Sequence, residues 1–263
     1  MSVYFLFYLM LGGAAGFFAG LFGIGGGIIL VPFLSWIFSD QGRPESLIML
    51  MAIATSLATI ILTSLSSINA HHRHGAIKWE IVARLAPAIL IGSVCGTLIA
   101  EQLETRVLKS IFGVFLILVS IQTGFQIRPH KQNLNLSKGL CALAGTSIGA
   151  LSSLLGIGGG TLTVPFLMKC RQPIRNAVAI SSACGLPIAV AGTIAYLVLG
   201  WEVPGRPDFS LGYIDGSAFL GIIPSSVLFA PLGAKLTHRL PTDRLKRLFA
   251  IFIFIVGGKL LFS

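Results

Sequence analysis

Eight stretches of this chain contain no Asp, Glu, Lys or Arg at all: 1–39, 46–72, 85–100, 110–127, 139–168, 176–201, 216–234 and 248–258. A bilayer core takes about 20 apolar residues per helix. Within it every backbone polar group must be satisfied internally, which long apolar runs achieve as helices. The runs therefore predict an all-α, polytopic membrane protein of about eight spans. Only 11% of the 263 residues are charged, against roughly 25% in a soluble domain, which argues against a cytosolic enzyme. The net charge of +10 does not point to nucleic acid. The cations sit in short connections, where loops face anionic headgroups. Trp36, Trp79 and Trp201 lie at or near run ends, the place of interfacial aromatic belts.

Runs 1–39 and 139–168 are too long for one straight helix. Each carries a glycine cluster, Gly23-Ile24-Gly25-Gly26-Gly27 and Gly156-Ile157-Gly158-Gly159-Gly160. Each glycine costs a helix about 1 kcal/mol, so both helices are expected to break there. Pro32 and Pro165 follow at the same distance and suit the first turn of a restarted helix.

The shared spacing belongs to a longer repeat. Gly12 to Leu34 aligns without gaps on Gly145 to Leu167, with about half of the positions identical. Pro87, Gly96, Thr105 and Lys109 later match Pro224, Gly233, Thr242 and Lys246. The chain thus reads as two four-span halves, 1–127 and 139–263, joined by a polar segment at 128–138 and forming one membrane domain. Four spans per half place both halves in the same orientation, a parallel repeat. Re-entrant hairpins at the glycine clusters are the alternative, and they would invert it. Alternate connections group Arg43, Arg106, Lys109, Lys169, Arg171, Arg175 and the cations from Lys235 to Arg247 against Arg73, Lys78, Arg84, Arg128, Lys131, Lys138 and Arg206. The richer first set is expected to be cytoplasmic, with both termini periplasmic. The first basic residue is Arg43, so no signal peptide is expected.

The duplicated Gly-x-Gly-Gly-Gly-x4-Pro segments, with Ala54-Thr55-Ser56, Ile180-Ser181-Ser182 and His71-His72-Arg73-His74, resemble the TauE/SafE sulfite-exporter family over nearly the whole chain. The resemblance implies a bacterial inner-membrane permease for sulfite, sulfonates or related sulfur-containing anions.

A broken helix near the membrane centre frees backbone N–H groups and points a half-helix dipole at the gap. That arrangement suits an oxyanion without a buried Lys or Arg. The expected substrate-binding set is Gly23, Gly25, Gly26, Gly27, Gly156, Gly158, Gly159 and Gly160, flanked by the hydroxyls of Thr55, Ser56, Thr161, Ser181 and Ser182. The plainer reading of any single Gly or Ser is close helix packing. Three glycines in series exceed that need. Neither cluster ends in the Gly-Lys-Ser/Thr of a phosphate loop.

No catalytic constellation, metal site or cofactor is expected. The histidines at 71, 72 and 74 lack a neighbouring Cys or carboxylate to close a site, and read as a solvated loop. Cys95, Cys141, Cys170 and Cys184 have no metal-ligand spacing and read as small apolar filler. None of the central runs holds an Asp or Glu, so a side-chain carboxylate relay is not expected. The expected partners are a small anion and the bilayer, with a homodimer left open. The competing readings are a carrier for another anion or a metal ion, and a channel-like subunit.

Overall fold

The computed structural model describes residues 2–22, 26–73, 75–125, 137–236 and 242–262. Gly23, Ile24, Gly25, His74 and the segment 126–136 lie outside them. The described residues form ten helices: α1 (Ser2–Phe22), α2 (Gly27–Asp40), α3 (Glu45–Arg73), α4 (Trp79–Gln102), α5 (Thr105–Gly124), α6 (Lys138–Leu155), α7 (Gly160–Lys169), α8 (Ile174–Leu199), α9 (Gly216–Leu236) and α10 (Thr242–Leu261). A two-residue ladder, β1 (Ser210–Leu211) on β2 (Ile214–Asp215), folds the connection before α9. The protein is all-α and polytopic. Six helices among the described residues are long and apolar enough to cross a membrane, and α1 and α2 contribute shorter apolar segments.

Both glycine clusters interrupt their runs. Pro32 and Pro165, expected in a first turn, sit instead at the sixth position of α2 and α7. There their missing N–H removes a bond to the carbonyl one turn earlier.

After each break the chain turns back. Tyr4 near the start of α1 donates to the Asp40 carboxylate at the end of α2 (3.0 Å), and Gln41 donates to the Tyr8 hydroxyl (2.9 Å). In the second run, Gly145 of α6 faces Leu85 and Ala88 near the start of α4. Beyond α7, Gln172 accepts from Lys78 just before α4 (2.9 Å). The first run therefore enters and leaves at the end of the bundle that holds Arg43, and the second at the end that holds Arg73. The connections sort accordingly, which corrects the alternating assignment. Lys169, Arg171 and Arg175 lie with Arg73 and Lys78, because Asn176 donates to the Ala76 carbonyl (2.9 Å). Arg206 lies in the folded connection whose Asp215 pairs with Arg43.

The closest helix crossings are made by glycine. A Cβ on Gly12 or Gly16 of α1 would run into the backbone of Ile222 or Ser226 of α9. A Cβ on Gly92 or Gly149 would do the same across the α4–α6 crossing. Lipid gives no hydrophobic drive to helix association, so close backbone approach and interhelical hydrogen bonds do that work. Ser153 of α6 donates to the Ser93 carbonyl of α4 (2.7 Å). Ser153→Ala is expected to lower stability in detergent by about 1 kcal/mol, measured as a small fall in Tm.

α3 is the buried axis, with Met49, Met51, Ile53, Ala54 and Leu57 fully enclosed, and it runs antiparallel to α8, with Leu57 beside Gly192 and Ser64 beside Gly185. α4 and α10 present Ile91, Val94, Leu98, Leu248, Ile251 and Ile255 outward, an apolar surface that bilayer hydrocarbon covers. Cys141, Cys170 and Cys184 are buried and Cys95 is exposed.

Candidate functional site

The second break is built by α6 and α7. Gly156 ends α6 in the left-handed conformation (φ +64°), where a Cβ is unfavourable. Gly156 N–H donates to the Ser153 carbonyl and Ile157 N–H to Ser152, a Schellman ending that satisfies the last carbonyls. The chain then passes Gly158 and Gly159 before α7 starts at Gly160. The first break meets it from the opposite end of the bundle. Gly26 lies against Ala15, midway along α1, and a Cβ on Gly27 would run into the Gly156 carbonyl oxygen and the Ile157 Cα. The two glycine breaks thus touch backbone to backbone near mid-depth.

Beside this contact, on its Arg73 side, lies a small open-mouthed cavity. Gly158, Gly159 and Gly160 form one wall, Thr63, Ser64 and Ser67 of α3 a second, and Ser181, Ser182 and Gly185 of α8 a third. Ala19, Ile60 and Ala230 complete the lining, and none of the lining residues is charged. The first N–H groups of α7, at Gly160, Thr161 and Leu162, have no intrahelical acceptor and carry the positive end of the helix dipole. A methyl on Gly185 would press on the Ser64 hydroxyl (3.2 Å), so this glycine keeps the cavity open.

The expected hydroxyls divide into two groups. Ser181 is 1% exposed, lines the cavity, and its hydroxyl has no partner; the Thr161 hydroxyl also has no partner but is not part of the lining. Ser56 donates to the Gly156 carbonyl (2.8 Å) and so ties α3 to the second break. Thr55 accepts from the Asp215 N–H (2.9 Å), and Ser182 donates within α8 to Val178 (3.0 Å). Gly26 and Gly27 touch the second break rather than line the cavity. Gly23 and Gly25 lie outside the described residues.

Residues 8–260 match the family described as Sulfite exporter TauE/SafE. The chain belongs to the TauE/SafE family. It is 38% identical to a probable membrane transporter protein of Haemophilus influenzae, over 98% of each chain. It is 28% identical to one from Methanocaldococcus jannaschii, over 95% of this chain and 92% of the relative. Bacillus subtilis YunE, also a probable membrane transporter, is 25% identical over 98% of each chain. This TauE/SafE protein is therefore a multi-pass membrane transporter and not an enzyme.

Two parts of this TauE/SafE chain escape the sequence reading. Thr63, Ser64 and Ser67 line the cavity, and their signal is a hydroxyl stripe at every fourth residue of α3: Thr55, Thr59, Thr63, Ser67. The other is an ion pair. Asp215, 2% exposed, meets Arg43, 10% exposed, at 2.8 Å. Asp215 also caps α9 by accepting from the Ala218 N–H (2.7 Å). An acidic residue directly ahead of an apolar run is an N-cap signal, but its cation lies too far away in sequence to be read. Arg43 is further held by Gln41 (2.8 Å), by the Met51 sulfur, and by the Phe38 ring 3.9 Å below it. Lys259 near the end of α10 stacks over Trp36 (4.3 Å).

Proposed function

We propose that the chain is a secondary transporter of small sulfur-containing anions such as sulfite or organosulfonates, bound beside the paired glycine breaks. The observation that carries this reading is the uncharged cavity at the second break. It joins the N-terminal end of α7 to the unpartnered Ser181 hydroxyl. Backbone N–H groups and hydroxyls stabilise an anion without the cost of a Lys or Arg in the bilayer. The family description names sulfite, which supports the substrate class.

The eight-run chain is read as two halves of inverted topology, each a re-entrant hairpin (α1–α2, α6–α7) followed by three crossings. Reciprocal packing supports this. α1 lies on α9 as α6 lies on α4, while α5 pairs with α10 and α3 with α8. On this reading Arg73, Lys78, Arg84, Lys138, Lys169, Arg171 and Arg175 stand at one end, against Arg43, Arg106, Lys109, Arg206 and Lys259 at the other. The more cationic end is cytoplasmic by the positive-inside rule. Both termini are then periplasmic, in a bacterial inner membrane.

Purified protein in liposomes should exchange labelled sulfite saturably, with sulfonates or thiosulfate competing. Ser181→Ala should raise the apparent KM about tenfold through loss of one hydrogen bond to a charged ligand. Its ligand-free Tm should hold or rise slightly, because an unpartnered buried hydroxyl is removed. Unchanged exchange in Ser181→Ala would take that residue out of the site, and non-saturable flux would favour a channel.

A further inference from the structure

We infer that the Arg43–Asp215 ion pair is the gate that seals the glycine-break site from the Arg43 end, so that this conformation admits a ligand only from the Arg73 end. The inference rests on the transporter reading above. It goes beyond it by assigning a conformational state and the residues that hold it.

Three observations meet at this pair. First, the two sides of the break contact differ. Toward the Arg73 end the α3 and α8 hydroxyls border an open cavity. Toward the Arg43 end, Thr55 and Ser56 are fully buried and tied to Asp215 and Gly156. Second, one pair of residues joins α2, α3 and α9 on the closed side. Arg43 follows α2 and packs on its Phe38, reaches Met51 of α3, and pairs with Asp215, which caps α9 and holds Thr55. Releasing the pair unties the end of α2 from α9, leaving it held to α1 through Tyr4 and Tyr8, and the other end of α2 is Gly27 at the break. Third, the place that corresponds to Asp215 at the other end carries a different kind of contact. Ahead of α4, where Asp215 stands ahead of α9, the chain has Lys78, exposed and bonded to the neutral Gln172. The first turn of α8 contributes Asn176, bonded to a backbone carbonyl. Either charge of a buried pair left enclosed without its partner is strongly unfavourable, so this pair opens only when α2, α3 and α9 part together, whereas an exposed hydrogen bond to lysine contributes little. The closed side is therefore the Arg43 side.

The test is cysteine accessibility in membrane vesicles of both orientations, on the full chain with Cys95, Cys141, Cys170 and Cys184 replaced by serine. Two reporters are used separately with a membrane-impermeant thiol reagent. Ser64→Cys reports the cavity, and Thr59→Cys lies one turn beyond Thr55 on the same face of α3. Ser64→Cys should react only from the Arg73 end, and Thr59→Cys should be protected from the Arg43 end. Adding Arg43→Gln or Asp215→Asn should speed Thr59→Cys labelling from the Arg43 end about tenfold. The swap Arg43→Asp with Asp215→Arg should restore protection. Labelling of Thr59→Cys at the parental rate in both neutral variants, with Ser64→Cys still reactive, overturns the gate. If the neutral variants do not reach the membrane, the swap decides: protection supports the pair, and rapid labelling overturns it. The readout needs no substrate, so a failure of sulfite exchange and a failure of the Arg43–Asp215 closure are observed separately.

Discussion

Gly27→Val is expected to give almost no folded protein, because the added side chain points at backbone rather than at movable side chains. Its Cβ would meet the Gly156 carbonyl and the Ile157 Cα. Overpacking against side chains typically costs 1–3 kcal/mol, and a backbone obstacle cannot rotate away, so about 4 kcal/mol is expected here. Moving the obstacle would also pull Gly156 off the Ser56 hydroxyl, which holds it at 2.8 Å. The measurement is monodisperse yield in detergent and Tm by an intrinsic-fluorescence melt. Gly139→Ala serves as the control, since a Cβ there meets nothing within 4 Å and the helix gains propensity. A Gly27→Val protein that melts with the parent would separate the two breaks and remove the shared mid-depth contact.

Asp215→Ala is the second large effect. It leaves the Arg43 guanidinium enclosed without its counter-charge, and removing one partner of a buried pair costs about 3–5 kcal/mol. Loss of the cap on α9 adds about 1 kcal/mol. Asp215→Asn keeps an oxygen for the Ala218 N–H and should recover the cap contribution alone. The double variant Arg43→Met with Asp215→Ala should lie well above Asp215→Ala in Tm, since no uncompensated charge remains. Equal melts for Asp215→Ala and the double variant would mean that the guanidinium is not desolvated in the folded protein.

These two residues also mark where local signals stop. The membrane class was legible because a run without charges leaves one physical solution, a helix in hydrocarbon. Both helix breaks were legible because glycine propensity acts within a few residues, and both appear, at Gly26–Gly27 and Gly156–Gly160. The Gly12, Gly16 and Gly149 positions also behaved as close-packing residues of membrane helices. The cavity was half legible. Ser181 lines it with an unpartnered hydroxyl, whereas the Ser56 hydroxyl holds the Gly156 carbonyl. Which hydroxyl stays free depends on what each meets across the fold, and no spacing along one helix encodes that.

The direction of the chain after each break belongs to tertiary structure for the same reason. A glycine run removes the preference to continue straight but supplies no preferred new heading. The heading follows from distant partners: Asp40 and Gln41 finding Tyr4 and Tyr8, and Gln172 and Asn176 finding Lys78 and Ala76. Sequence by itself determined the solvent, the helices and the places where they break, because each depends on residues within a turn or two. Only the tertiary structure decided the fold-back, the free hydroxyls and the Arg43–Asp215 pair, because each depends on groups brought together from opposite halves of the chain.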